Sequence, residues 1–166
     1  MVRMYRSIQD FLANWAHEEA LTLQVLETLT DESLPQAVLP GKRTLGDLGW
    51  HLVSSVNGML GAGGLAVEGP SFEAPTPTSA AEIVGEYRKV SAAAAKAVQE
   101  QWTDAMLPEN LKLFGVIDTT YGGLLQLVIN HQIHHRGQMT VLMRQAGLVP
   151  PGVYGPNEEA TAAMRG

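Results

Sequence analysis

Three of the five histidines in this chain lie within nine residues, in the stretch NHQIHHRGQ, Asn130–Gln138. On a helix, His131 and His135 lie one turn apart and about 40° apart around the axis, since each residue turns by about 100°. This spacing lets two imidazole rings converge on one metal ion, as in other helical zinc sites. The alternative is a layer of hydrogen-bonded histidines inside a bundle, and the spacing alone leaves both interpretations open.

The neighbouring residues indicate which way these histidines point. Steps of four and three residues place both in one mostly apolar line, which comprises Leu124, Val128, His131, His135, Gln138 and Leu142. Such a line is typical of the core-facing side of a bundle helix. A buried polar group without a partner costs about 1–3 kcal/mol. Two of them at adjacent core positions need a common explanation, and a bound metal supplies one.

The other residues of the run are interpreted separately. His134 lies beside the line and is predicted to be a bundle-margin histidine that bonds to backbone or water. Gly137, in mid-helix, predicts the close approach of another helix, because glycine costs about 1 kcal/mol there against alanine. Gln138 is expected to bond to a metal-bound water or substrate or, preferably, to a neighbouring helix. Arg136 lies about 140° around the helix from His131, which predicts an ion pair at the surface or in a dimer.

A third ligand must come from another helix. His51, within DLGWHLVSS, is the favoured candidate, whereas His17, within AHEEA, is predicted to be solvated surface. Asp47, one turn before His51, is predicted to cap its helix, and support of a histidine ligand is the alternative. An iron centre with two histidines and one carboxylate would need Asp47 as a ligand and is disfavoured.

Four helical segments are predicted to position these residues. They run from Ser7 to about Thr30, from a capping box at Thr44 to the glycines at 61–64, from a capping box at Ser79 to about Trp102, and from Thr119 or Thr120 to Gly147. Residues 103–118 are predicted to be irregular or to contain a short strand, and the tail is predicted to be an ordered loop that frays. The pattern is all-α and favours a four-helix bundle in one domain, residues 1–166.

The arrangement of the helices in space stays open at this point. About 17 residues connect the second and third helices, and they can span roughly 55 Å when extended at ~3.3 Å per residue. A helix of the same length is only about 25 Å long. The connection can therefore run along the whole bundle, so these two helices can be either parallel or antiparallel.

The composition excludes several classes of function. The chain has 166 residues, 45% of them hydrophobic and 17% charged, which is typical of a globular protein. Its net charge of −6 argues against nucleic acid or an anionic membrane surface as partner. Without cysteine there is no thiolate nucleophile and no cysteine-ligated metal. No signal peptide or membrane-spanning run is visible, so a cytoplasmic location is expected.

In its motifs the chain resembles the DinB/YfiT-like family of metal-dependent enzymes. The resemblance covers nearly the whole chain and rests on RTLGDLGWHLV in the second helix and GLLQLVINHQIHHRGQMTVLMRQAG in the fourth. It implies a four-helix bundle with long crossover connections, often as a homodimer. It also implies that His51, His131 and His135 bind one divalent metal ion. Imidazole ligands suit zinc, nickel, copper or iron(II), and zinc is the first choice, with nickel or iron as alternatives. His134 matches the histidine of the run that is not a ligand.

Three protein ligands would leave one coordination position open, which is typical of catalytic rather than structural zinc sites. Such a site can deprotonate a coordinated thiol, or it can lower the pKa of bound water to about 7. The resemblance favours the first chemistry, because the family is similar to S-transferases that use a low-molecular-weight thiol such as bacillithiol. Mycothiol-dependent isomerases are relatives. The expected function is therefore thiol S-transfer to a small molecule; the alternatives are a metal-dependent hydrolase or isomerase, and a non-catalytic stress protein that binds a metal or small ligand.

Overall fold

Five α-helices and one β-hairpin make up the chain in the computed structural model, which describes residues 5–166. Their bounds are α1 Ile8–Glu27, α2 Leu45–Ala62, α3 Ala80–Gln101, β1 Asn110–Leu113, β2 Ile117–Thr120, α4 Tyr121–Gln145 and α5 Glu158–Arg165. Residues 1–4, which belong to the N-terminal segment where no signal peptide is expected, lie outside this range. Four long helices form the bundle, so the all-α prediction is confirmed. Within residues 5–166, no helix combines the length and apolar character needed to cross a bilayer.

The predicted helix caps are largely present. Thr44 and Asp47 form a reciprocal capping box: the Asp47 N–H donates to Thr44 Oγ1 at 3.0 Å, and the Thr44 N–H donates to Asp47 Oδ2 at 2.9 Å. Ser79 caps α3 by accepting from the Glu82 N–H, but no return bond from that side chain is found among the described residues, so the second box is half formed. Gly147, with φ of 79°, ends α4 in the left-handed conformation.

Contacts near the helix ends establish the direction of each helix. α1 and α2 lie diagonally opposite, because each packs against both α3 and α4. Leu26 of α1 and Ile83 of α3 lie beside Gly49, so the end of α1 meets the beginnings of α2 and α3. At the other end of the bundle, Leu124 at the beginning of α4 lies beside Gly63, just after α2. Hence α2 and α3 are parallel, and α1 and α4 run antiparallel to them.

The connection between α2 and α3 runs along the bundle, as its length allows. Near the end of α3, the Ala66 N–H donates to Gln101 Oε1 at 3.2 Å. Near the beginning of α2, the indole N–H of Trp50 donates to the Ala74 carbonyl at 3.1 Å. The expected long crossover is therefore present between these two helices, whereas the connections from α1 to α2 and from α3 to α4 each join antiparallel helices that lie diagonally opposite in the bundle.

Two short elements lie outside the bundle. β1 agrees with the short strand predicted as one alternative for residues 103–118; it pairs with β2 in an antiparallel hairpin between α3 and α4, which places Leu113 fully in the core. The tail contains α5, where the sequence analysis predicts only a loop. Asn157 caps α5 by accepting from the Ala160 N–H at 2.8 Å. Eight residues show too few turns for a clear apolar period, which is why the sequence pattern did not reveal this helix.

All three tryptophans are buried. Trp15 stacks on Phe11 with ring centroids 5.9 Å apart, and Trp102 meets Tyr121 edge-on at 4.8 Å. Trp50 is also buried, and one side of its ring borders a surface cleft next to His51.

Candidate metal centre

The side chains of His51 from α2 and of His131 and His135 from α4 meet where these two helices pack. The Nε2 atom of His131 lies 3.1 Å from the Nε2 atom of His51 and 3.1 Å from that of His135. Three nitrogen ligands of a tetrahedral zinc ion, each at about 2.05 Å, lie roughly 3.3 Å from one another. The cluster therefore has the spacing of a site that can hold one divalent ion.

The hydrogen-bond pattern also fits a metal better than a set of histidines alone. The side-chain amide oxygen of Gln138, Oε1, lies 2.8 Å from His135 Nδ1, which therefore carries the proton and leaves a lone pair on Nε2. His131 Nε2 faces both other Nε2 atoms but has either one lone pair or one proton to offer. Three neutral rings consequently cannot make two good hydrogen bonds at this point, whereas a cation accepts all three lone pairs.

The three rings are neutral near pH 7. Burial, followed by the neighbouring histidines and Arg43, lowers the pKa of His51 and of His131 from 6.5 to about 4. Burial also lowers the pKa of His135, although its bond with Gln138 opposes the shift. Histidine binds metals as the neutral imidazole. The folded chain therefore presents the form of each ring that a metal requires.

His51 borders a cleft of about 430 Å³ on the protein surface. Its lining includes the cations Lys42 and Arg43 and the aromatic residues Trp50 and Phe72. The Phe72 ring lies 6.4 Å from the His51 ring between centroids. Small-molecule sites commonly enclose about 300–1,000 Å³, so this cleft is large enough for a small substrate next to the histidine cluster.

The other acidic and histidine candidates lie where the sequence suggests. Asp47 accepts from the Thr44 N–H through one oxygen and from the Thr76 hydroxyl, at 2.7 Å, through the other, so it is a capping group and contacts none of the clustered histidines. His17 is exposed, as predicted, and His134 is exposed as well, with no bond to backbone among the described residues. Neither belongs to the histidine cluster.

Two predictions about the histidine run are wrong. Gln138 is exposed rather than buried in the apolar line, and it bonds to His135 one turn earlier instead of to another helix. Gly137 does not mark a close helix contact, because a Cβ atom built there has no described atom within 4 Å beyond its own local backbone. Both residues lie past the edge of the α4 surface that packs against other helices.

The prediction for Arg136 is wrong as well. Its angular position on the helix predicts an ion pair at the surface or in a dimer, yet its side chain is 2% exposed and forms an ion pair with the buried Glu18 of α1. It also donates to the Glu18 carbonyl at 2.8 Å and to the Thr22 hydroxyl at 3.0 Å. The Tyr154 hydroxyl, from the tail, donates to the Glu18 carboxylate at 2.7 Å. A buried charge needs such partners, and this network supplies them to both terminal nitrogens of Arg136, while its Nε atom has none among the described residues.

A second line of residues on α4 has the same steps of four and three residues as the first, and this spacing indicates that Arg136 is buried. All members of the line are buried: Leu125, Ile129, Gln132, Arg136, Met139 and Met143. α4 packs against both α1 and α2, so it needs a broad apolar surface rather than one narrow line. His131 and His135 lie at one margin of that surface, where the His131 ring contacts His51 of α2.

A four-helix bundle with three histidines converging between α2 and α4 is the class of protein that this structure defines. The sequence profile of the DinB family matches residues 4–165, and the chain belongs to the DinB family. It is 42% identical over 159 residues to a Bacillus subtilis (strain 168) protein described as uncharacterized protein YrdA, covering 96% of this chain and 95% of the relative. The crystal structure of a DinB-like protein from Bacillus cereus ATCC 10987 is 47% identical and has a TM-score of 0.86, covering 90% of this chain and 99% of that one. The family resemblance is thereby confirmed.

Proposed function

We propose that this protein is a metal-dependent thiol S-transferase in which His51, His131 and His135 hold one divalent ion, with zinc as the first choice. The convergence of three neutral imidazoles, with no fourth ligand in the cluster among the described residues, carries this proposal. Three protein ligands leave one position for an atom of a substrate. When bound there, a zinc ion would supply the means to deprotonate a coordinating thiol.

The residues of the chain provide the positioning. Gln138 holds the His135 ring through its Nδ1 atom, which directs Nε2 towards the cluster. His51 lines the cleft, so a small molecule bound there would lie next to one member of the cluster. In the transfer, the thiol loses its proton to solvent and its sulfur forms a bond to an electrophilic carbon. The leaving group departs from that carbon with the bonding electron pair.

The environment of the cleft supports S-transfer over hydrolysis. A hydrolase would benefit from a free carboxylate as general base. Asp47 is the one carboxylate among the described residues that line the cleft, and both its oxygens already accept hydrogen bonds. A thiol cosubstrate also agrees with a chain that has no cysteine of its own. A homodimer is part of the proposal on the family resemblance alone, and light scattering after size exclusion tests it.

Metal content tests the site. Elemental analysis of tag-free protein is expected to find about one zinc or nickel per chain in the wild type. The metal should be lost in His51→Ala and in His135→Ala. It should be retained in His134→Ala, which removes an exposed histidine of the same run and serves as the matched control. Metal retained in both ligand variants would refute the site.

Activity tests the reaction class. The metal-loaded protein is expected to release halide from a halogenated aromatic electrophile only when a thiol is added, and a chelator should abolish this activity. Halide release without thiol would favour the hydrolase. Bound metal without any turnover would favour a binding protein.

A further inference from the structure

Two adjacent positive charges line the candidate site without a partner. Lys42 and Arg43 lie in the cleft beside His51, and both side chains are exposed. Across residues 5–166, six lysine or arginine side chains form ion pairs within 4.0 Å, and these two are not among them. In a chain with a net charge of −6, two neighbouring unpaired cations beside a histidine cluster indicate a site for an anion.

The backbone holds these two residues in place. Gly41 adopts the left-handed conformation, with φ of 72°, at the turn just before them. An antiparallel bridge between Ala37 and Thr44 closes the loop, and the Leu45 N–H donates to the Gln36 carbonyl at 2.7 Å. Arg43 directly precedes Thr44, the N-cap of α2. A ligand that binds here would therefore not have to order the loop, which reduces the entropy lost on binding.

Asp47 is the one carboxylate among the described residues that line the cleft, and it forms no ion pair within 4.0 Å with either cation. Its two oxygens accept from the Thr44 N–H and the Thr76 hydroxyl. One negative charge also offsets two positive charges only in part, so the lining keeps a positive charge for an anion.

We propose that Lys42 and Arg43 bind a carboxylate of the thiol cosubstrate, so that the substrate class is a small thiol carrying a carboxylate. This inference rests on the S-transferase function proposed above. Phe72 and Trp50, which line the same cleft, contact the carbon skeleton of the thiol while its sulfur reaches the histidine cluster. The cleft volume of about 430 Å³ accommodates a molecule of this kind.

The test compares two small thiols of similar size on the full-length protein loaded with one equivalent of cobalt(II). 3-Mercaptopropionate carries a carboxylate, and 2-mercaptoethanol carries a neutral hydroxyl. Thiolate ligation to cobalt produces a charge-transfer absorption, so the dissociation constant of each thiol can be measured without turnover. We expect 3-mercaptopropionate to bind about tenfold more tightly to the wild type, equivalent to about 1.4 kcal/mol. Added salt should reduce this preference.

The variant Arg43→Gln is expected to remove most of the preference, and Lys42→Gln part of it. Lys96→Gln is the matched control, because it deletes an exposed, unpaired cation that does not line the cleft, and it should keep the wild-type ratio. If both thiols bind but their affinity ratio is the same in wild type and Arg43→Gln, the carboxylate site is wrong and the S-transferase function stands. If neither thiol changes the cobalt spectrum, the S-transferase function is wrong and this inference falls with it.

Discussion

Replacing Arg136 with methionine should destabilise the protein far more than a typical charge deletion. The Arg136 side chain is 2% exposed and that of Glu18 is 7% exposed, so the substitution leaves a carboxylate buried with the Tyr154 hydroxyl as its remaining partner. Removing one member of a buried ion pair costs about 3–5 kcal/mol. Because whole domains are stable by only about 5–15 kcal/mol, Arg136→Met should lose a large share of the free energy of unfolding.

Urea denaturation followed by circular dichroism measures this loss. The matched control is Arg144→Met on the same helix, which breaks an ion pair with Glu159 whose side chains are 38% and 48% exposed. Exposed pairs contribute about 0–1 kcal/mol, so the control should remain close to wild type. The double variant Glu18→Leu/Arg136→Met should be less destabilised than Arg136→Met alone, since it leaves no unpaired charge. An Arg136→Met protein no less stable than the control would refute this account of the network.

Three further predictions concern the site. Gln138→Leu should weaken zinc binding about 10- to 100-fold in a chelator competition while Gln138→Glu preserves most of it, and equal affinities would show that the bond to His135 has no role. The metal-free protein should lose stability as the pH falls from about 6.5 to about 4, because the folded-state pKa values of His51 and His131 lie near 4, below their ordinary value of 6.5. In urea titrations at several pH values, His51→Gln should show a shallower decline, and parallel curves would contradict this origin. Gly58→Ala should move Phe72 away from the cleft, because the new Cβ atom would lie 2.1 Å from its ring, and a crystal structure with the ring unmoved would overturn that contact.

Local features of the sequence predicted much of the scaffold of the site. The capping box at Thr44 places the beginning of α2, and therefore His51, to within a residue. The apolar period and the glycine at 147 set the length of α4 in the same way. Each of these features depends on residues within one or two helical turns, so it can be interpreted without knowing the rest of the fold. The spacing of His131 and His135 belongs to this group, and the metal that they are proposed to bind stays a prediction.

The convergence of His51 with the α4 histidines needed more than local rules. It depends on α2 and α4 being antiparallel neighbours, and loop lengths allowed other arrangements. The family resemblance supplied this pairing, because it already associates one histidine of the second helix with two of the fourth. The structure shows the contact itself, with Nε2 atoms 3.1 Å apart.

By itself the sequence determined where helices begin and end and which histidines share a helix face, because short-range backbone and side-chain geometry governs both. Only the tertiary structure decided that α2 and α3 are parallel, that Arg136 pairs with Glu18 across 118 residues of chain, and that Lys42 and Arg43 line the same cleft as Phe72. These outcomes depend on which distant surfaces pack together. Many pairings satisfy the same local pattern, and the total burial of apolar surface with satisfied polar groups selects one of them.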